Sequence, residues 1–222
     1  MVTKIKREIN WNKYLGVSAV TALVFILGIL AGNYIASSKL GELERTQQDL
    51  IAQSMGLELK DALFQQNNIC ELTWREIWEE KVAMGTQIEQ LEIRFGKEDK
   101  RVIQQKEIYQ LIEIRTWLLL KEIKEKCDSN FNIVLYFYTN KENDKKGSWK
   151  DCENQGYVIS ALYQSYSNTT NIFAFDINTE NPATLIMQHI YNITEAPSII
   201  INDNLYSGFK SLNELKEILG YK

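Results

Sequence analysis

Three cysteines, Cys70, Cys127 and Cys152, are the residues best equipped for chemistry in this chain of 222 residues. A thiolate can act as nucleophile, metal ligand or half of a disulfide. The spacing narrows those roles. No C-x-x-C occurs, so no single motif offers two thiols for a dithiol–disulfide cycle. The single histidine, His189, removes most zinc sites and Ser-His-Asp triads. No glycine-rich phosphate loop is present. Neither a metal nor a cofactor is therefore expected. What remains is monothiol exchange at Cys152, a structural disulfide, or inert buried thiols.

Cys152 lies in the stretch Trp149-Lys-Asp-Cys152-Glu-Asn-Gln155-Gly156. Val158, Ile159, Leu162 and Tyr166 predict a helix beginning near Asp151. Cys152, Gln155, Ile159 and Leu162 then share one face and put the thiol inward. Reactivity demands exposure and an electropositive setting, and the flanks, Asp151 and Glu153, are acidic. An inert thiol and a reactive one are both compatible with this pattern.

The elements that must position Cys152 follow an α/β order. Phe131–Tyr138 is a continuous apolar, β-rich run, the pattern of a buried central strand. Ile172–Asp176 predicts a second strand. Asn181 caps and Pro182 opens a helix through about Tyr191. Ser198–Ile201 is a third strand, Asn202-Asp203-Asn204 a hairpin turn, and Leu205–Gly208 a short fourth strand. Ser211-x-x-Glu214 boxes a final helix, Ser211–Gly220. The order is βαβαββα across residues 128–222.

This order resembles the thioredoxin fold. The most specific match is Ile193-Thr-Glu-Ala196-Pro197-Ser-Ile-Ile-Ile201, similar to the family segment in which a cis-proline opens the third strand and faces the active site. The resemblance implies that Ala196 and Pro197 border the site. It also implies a thiol at the N-terminus of the first helix and a second three residues on. Two registers are open: Cys152 takes the second position and Trp149 replaces the nucleophile, or Cys152 takes the first and Gln155 replaces the resolving thiol. The inward face favours the first. The buried acid of the first strand found in many thioredoxins is missing, since Phe131–Tyr138 holds no carboxylate. As a whole the chain is similar to membrane-anchored thioredoxin-like proteins of archaea and bacteria with small genomes.

The N-terminal half reads as anchor and stalk. Tyr14 to Ser38 carries no formal charge, and about 20 apolar residues suffice to cross a bilayer as a helix. Lys4, Lys6, Arg7 and Lys13 precede the run, while Lys39 and Arg45 follow it. The positive-inside rule places residues 1–13 in the cytoplasm, 14–36 across the cell membrane as a single pass, and the remainder outside. Residues 37–127 are expected to form a helical stalk. Leu43, Leu50, Leu57 and Phe64 recur every seven residues, with a polar second seam at Gln47, Ser54 and Asp61. Thr73 and Glu76 make a capping box, and Gly96 ends the middle helix. A third helix, Lys100 to Lys126, carries two apolar stripes, so one face has to dock the following domain. Antiparallel packing of the last two helices brings Cys70 and Cys127 to the same end. In an oxidising exterior they could form a disulfide; two separate thiols are the alternative.

A net charge of −4 supplies no footprint for nucleic acid. The partners expected are the lipid bilayer and a protein or peptide. Three functions fit: a thioredoxin-like binding module with an incomplete motif, whose Ala196 backbone pairs with an extended peptide; a monothiol thiol-disulfide oxidoreductase using Cys152; or a scaffold that homo-oligomerises through anchor and stalk.

Overall fold

The computed structural model of the chain describes residues 11–67, 74–97 and 99–221. Cys70 and Thr73, the residue expected to cap the middle helix, lie outside them. Two compact units emerge, Met1–Thr46 and Gln47–Lys222.

Helix α1 comprises Trp11–Asn67. Its residues up to Thr46 include no proline, and the apolar side chains between Leu15 and Ile35 are exposed. One 18-residue window reaches a mean hydropathy of 2.3. By length and composition this stretch suffices to cross a membrane.

In the second unit, helices α2 (Trp74–Phe95) and α3 (Lys100–Lys126) form a hairpin. Gly96 turns it at φ 94°, a conformation that glycine adopts without strain. Asp99 caps α3, its carboxylate accepting the Arg101 N–H at 2.9 Å. Gly85 lets the two helices close up: a Cβ there would lie 2.7 Å from the Tyr109 hydroxyl. Leu50, Leu57 and Phe64 of α1 are buried in this unit, and Asp61 pairs with Arg115 of α3.

Four strands, β1 (Asn132–Tyr138), β2 (Thr170–Asp176), β3 (Ser198–Ile201) and β4 (Asn204–Ser207), form one mixed sheet in the order β2-β1-β3-β4. The β1–β2 pair is parallel, with Val134 opposite Ile172. The crossover is α4 (Trp149–Tyr166), as parallel strands require. A helix α5 (Pro182–Ile190) leads from β2 back to β3, which runs antiparallel to both β1 and β4. Asn202 and Asp203, at φ 48° and 66°, make the two-residue turn between β3 and β4; both positive values are those of a type I′ hairpin. Helix α6 (Leu212–Leu219) closes the chain with the Ser211–Glu214 capping box formed.

β1 reads as continuously apolar because both its faces are covered. On one side Val134 and Tyr136 pack with Ile159, Leu162, Leu215 and Leu219 of α4 and α6. On the other lie α2 and α3, with Trp78 meeting Phe173 edge-on at 5.4 Å. Trp78 and Trp117 are core residues, 4% and 7% exposed. The hairpin thus lies in the same compact unit as the sheet, Gln47–Lys222. On α3, Ile112, Thr116, Leu119 and Ile123 are buried, whereas Leu111 and Leu118 of its second stripe stay about half exposed.

The outer edge of β2 is closed by an ion pair. Lys81 Nζ donates to the Ile172 carbonyl at 2.9 Å, Glu113 Oε1 accepts the Ala174 N–H at 3.3 Å, and the two side chains meet at 2.8 Å. Both are buried. Together they stand where the N–H and C=O of one residue of a neighbouring strand would stand, and so cover an otherwise bare edge.

Candidate functional site

The site is built at the N-terminus of α4. That helix starts at Trp149, two residues before the Asp151 start read from the sequence, because Ser148 caps it: its hydroxyl accepts the Asp151 N–H at 3.2 Å. Ser148-x-x-Asp151 is a cap signal that was legible in the chain. Trp149 is the first helical residue and 37% exposed. Cys152 is one turn further in.

Cys152 is 3% exposed. Its Sγ accepts the Thr139 N–H at 3.4 Å, and the Tyr136 hydroxyl donates to its carbonyl at 2.5 Å. Its own N–H is bonded to Ser148 O at 3.0 Å, so it lies beyond the free N–H groups of the helix end. Burial pushes the thiol above its ordinary value, and the Thr139 N–H draws it back by less. The thiolate form is disfavoured, the opposite of what a reactive cysteine needs.

Gln155 is fully buried and serves as a clamp. Its Nε2 donates to Lys210 O at 3.1 Å and its Oε1 accepts the Lys210 N–H at 2.6 Å. That bidentate contact ties α4 to the segment entering α6.

The Ala196–Pro197 peptide is cis, and both residues are buried. The backbone of Ala196, expected to be open to an extended peptide, is already engaged. Its N–H donates to Lys146 O at 2.8 Å, and Gly147 forms a parallel bridge with it. The approach is close enough that a Cβ on Gly147 would lie 2.0 Å from Ala196 O, so only glycine fits. The reason is the loop between β1 and α4, which folds back on itself. Asp144 holds it: Oδ1 accepts the Lys146 N–H at 2.9 Å, and Oδ2 accepts from the Thr139 hydroxyl and from Asn178 Nδ2, each at 2.7 Å. These donors hold the Asp144 carboxyl down at about 2. Asn143-Asp144 followed by Gly147 was the turn signal in the sequence.

A cavity of ≈ 330 Å³ opens beside α4, lined by Tyr136, Tyr138, Asn140, Trp149, Cys152 and Gly156 among others. Among the described residues, no three His, Cys, Asp or Glu side chains group as metal ligands. His189 is exposed in the last turn of α5. Cys127 caps the C-terminus of α3 and is disulfide-bonded; Cys152 is free. The pairing expected for Cys127 falls on Cys70, outside the described residues.

The strand order and the parallel and antiparallel pairings make the sheet thioredoxin-like, with the cis-proline at the start of β3. No family model and no curated protein matches the sequence. Similar solved structures include a chloroplastic thioredoxin z, at 15% identity and a TM-score of 0.35, over 46% of this chain and 85% of that one. The germline-specific thioredoxin Deadhead of Drosophila melanogaster is similar at 14% identity and a TM-score of 0.30, over 46% of this chain and 88% of the other. A malarial protein is similar at 22% identity and a TM-score of 0.29, over 41% and 96% respectively.

Proposed function

We propose that this chain is a membrane-anchored protein-interaction module of thioredoxin-like fold, in which Cys152 is a structural thiol. The observation that carries the reading is the state of that sulfur: enclosed, bonded to the Thr139 N–H, and raised in pKa by burial. An exchange enzyme needs an accessible thiolate and a second thiol to resolve the mixed disulfide. The partner is a protein or peptide. Because Lys146 and Gly147 occupy the Ala196 backbone, an extended segment pairs there only by displacing them.

The apolar stretch of α1 supports anchoring in a cell membrane, and the lysines and arginine before it support a cytoplasmic N-terminus with the α/β domain outside. An oxidising exterior suits a Cys70–Cys127 disulfide. A second reading, monothiol exchange at Cys152, is favoured by the cavity that reaches this residue.

Alkylation separates the two. In the folded full chain, Cys152 should label with iodoacetamide far more slowly than in the unfolded chain, with no thiolate inflection below pH 9. Fast labelling with an inflection near neutrality would establish the exchange enzyme instead.

A further inference from the structure

The seven-residue series Leu50, Leu57, Phe64 is spent inside the chain, at 0%, 1% and 1% exposure. The opposite side of the same helical segment is apolar too. Met55, Leu59 and Leu63 are 61%, 66% and 54% exposed and Ile51 is 46% exposed. Ala52 and Ala62 are exposed between them. At about 100° per residue these six positions fall within one sector centred opposite Leu57.

Within that sector Ala52, Met55, Leu59 and Ala62 are spaced three, four and three residues apart. This alternation averages 3.5 residues, the spacing at which one helix covers another when they cross at about 20°. Among the described residues of this chain no helix does so.

We infer that this outer seam of α1 pairs with the same seam of a second copy, as a parallel two-stranded coiled coil. The seam is self-complementary: in register, each of its four residues meets its own counterpart, the alanines allowing close approach and Met55 and Leu59 filling the space between. Ile51 and Leu63 flank it and extend the apolar contact. Glu58, beside the seam, reaches in parallel pairing toward Leu63 of the other copy rather than toward a like charge. The parallel sense rests on the anchoring proposed above. Copies anchored by the same N-terminal stretch enter the membrane in the same sense, which matches a parallel rather than an antiparallel pair. The patch is small for a stable interface in free solution. Confinement to a membrane raises the effective concentration and offsets that deficit.

Full-length Met55→Cys and Leu59→Cys variants in phosphatidylcholine vesicles, oxidised with copper phenanthroline, test the seam. Ile93, 80% exposed on α2, supplies the collision control as Ile93→Cys. Covalent dimer should form several-fold more from Met55→Cys and Leu59→Cys than from the control, and Leu59→Glu in the Met55→Cys chain should remove it. Equal yield from the control, or none from Met55→Cys, overturns the pairing. Flotation of the vesicles reads the anchor separately. Protein that floats without crosslinking sinks the seam alone. Protein that stays in solution and still crosslinks at Met55 keeps the seam and removes the anchor; protein that does neither overturns both.

Discussion

Asn171 is wholly buried in β2, yet among the described residues neither its Oδ1 nor its Nδ2 has a hydrogen-bond partner. A buried amide without partners costs about 1–3 kcal/mol. Asn171→Leu is therefore expected to stabilise the fold, read as a higher midpoint of urea unfolding with an unchanged slope. Cys152 gives a second outcome at this scale. Its folded pKa is raised by burial, so its contribution is fully present below the unfolded thiol value, about 8.5, and is lost as pH rises through the folded value. Cys152→Ala should flatten the alkaline decline in stability. The inward position of Cys152 was legible in the sequence, because helical spacing to Ile159 and Leu162 decides it. The occupation of Ala196 was not, because it depends on a loop returning to touch a residue distant in the chain, and no periodicity records that.

At the scale of elements, helix and strand types followed from pattern, while what lies against them did not. Lys81 and Glu113 carry no mark in the sequence that sets them apart from the other charges of their helices, and only the docking of the hairpin shows that they close β2. Burial pushes the Glu113 carboxyl up, and Lys81 beside it pulls it down. Lys81→Met leaves that carboxylate buried and unpaired, at a cost of about 3–5 kcal/mol in chemical denaturation. Adding Glu113→Leu should recover part of the loss, since the lone charge is the larger penalty. The β1–α4 loop carries its own pH dependence. The Asp144 carboxyl is held at about 2, below the ordinary value near 3.9. Its contribution is therefore present above pH 4 and is lost as pH falls toward 2. Hydrogen-exchange protection of the Ala196 amide should drop over that window, and Asp144→Asn should lower it at neutral pH.

For the whole molecule, the order of strands and helices in residues 128–222 was readable because each element is short, differently patterned and separated by Asn, Asp, Gly or Pro. The division of the chain was less readable. A stalk ending at Cys127 followed from helical composition, whereas hairpin and sheet fall in one compact unit, Gln47–Lys222, with Glu113 of α3 bonded to the Ala174 N–H of β2. If the apolar stretch of α1 anchors the chain, it should remain with membranes through alkaline carbonate washing. Lysines at Leu23 and Leu27 should release it, each costing roughly 2.5–3.5 kcal/mol at mid-bilayer.

Closing one flank of the sheet with Lys81 and Glu113 leaves an asymmetry. Among the described residues, the remaining strand margin is Asn204–Ser207, four residues long and facing solvent. Accretion of further chains by sheet growth is confined to that margin, and its brevity limits how firmly such a addition could hold.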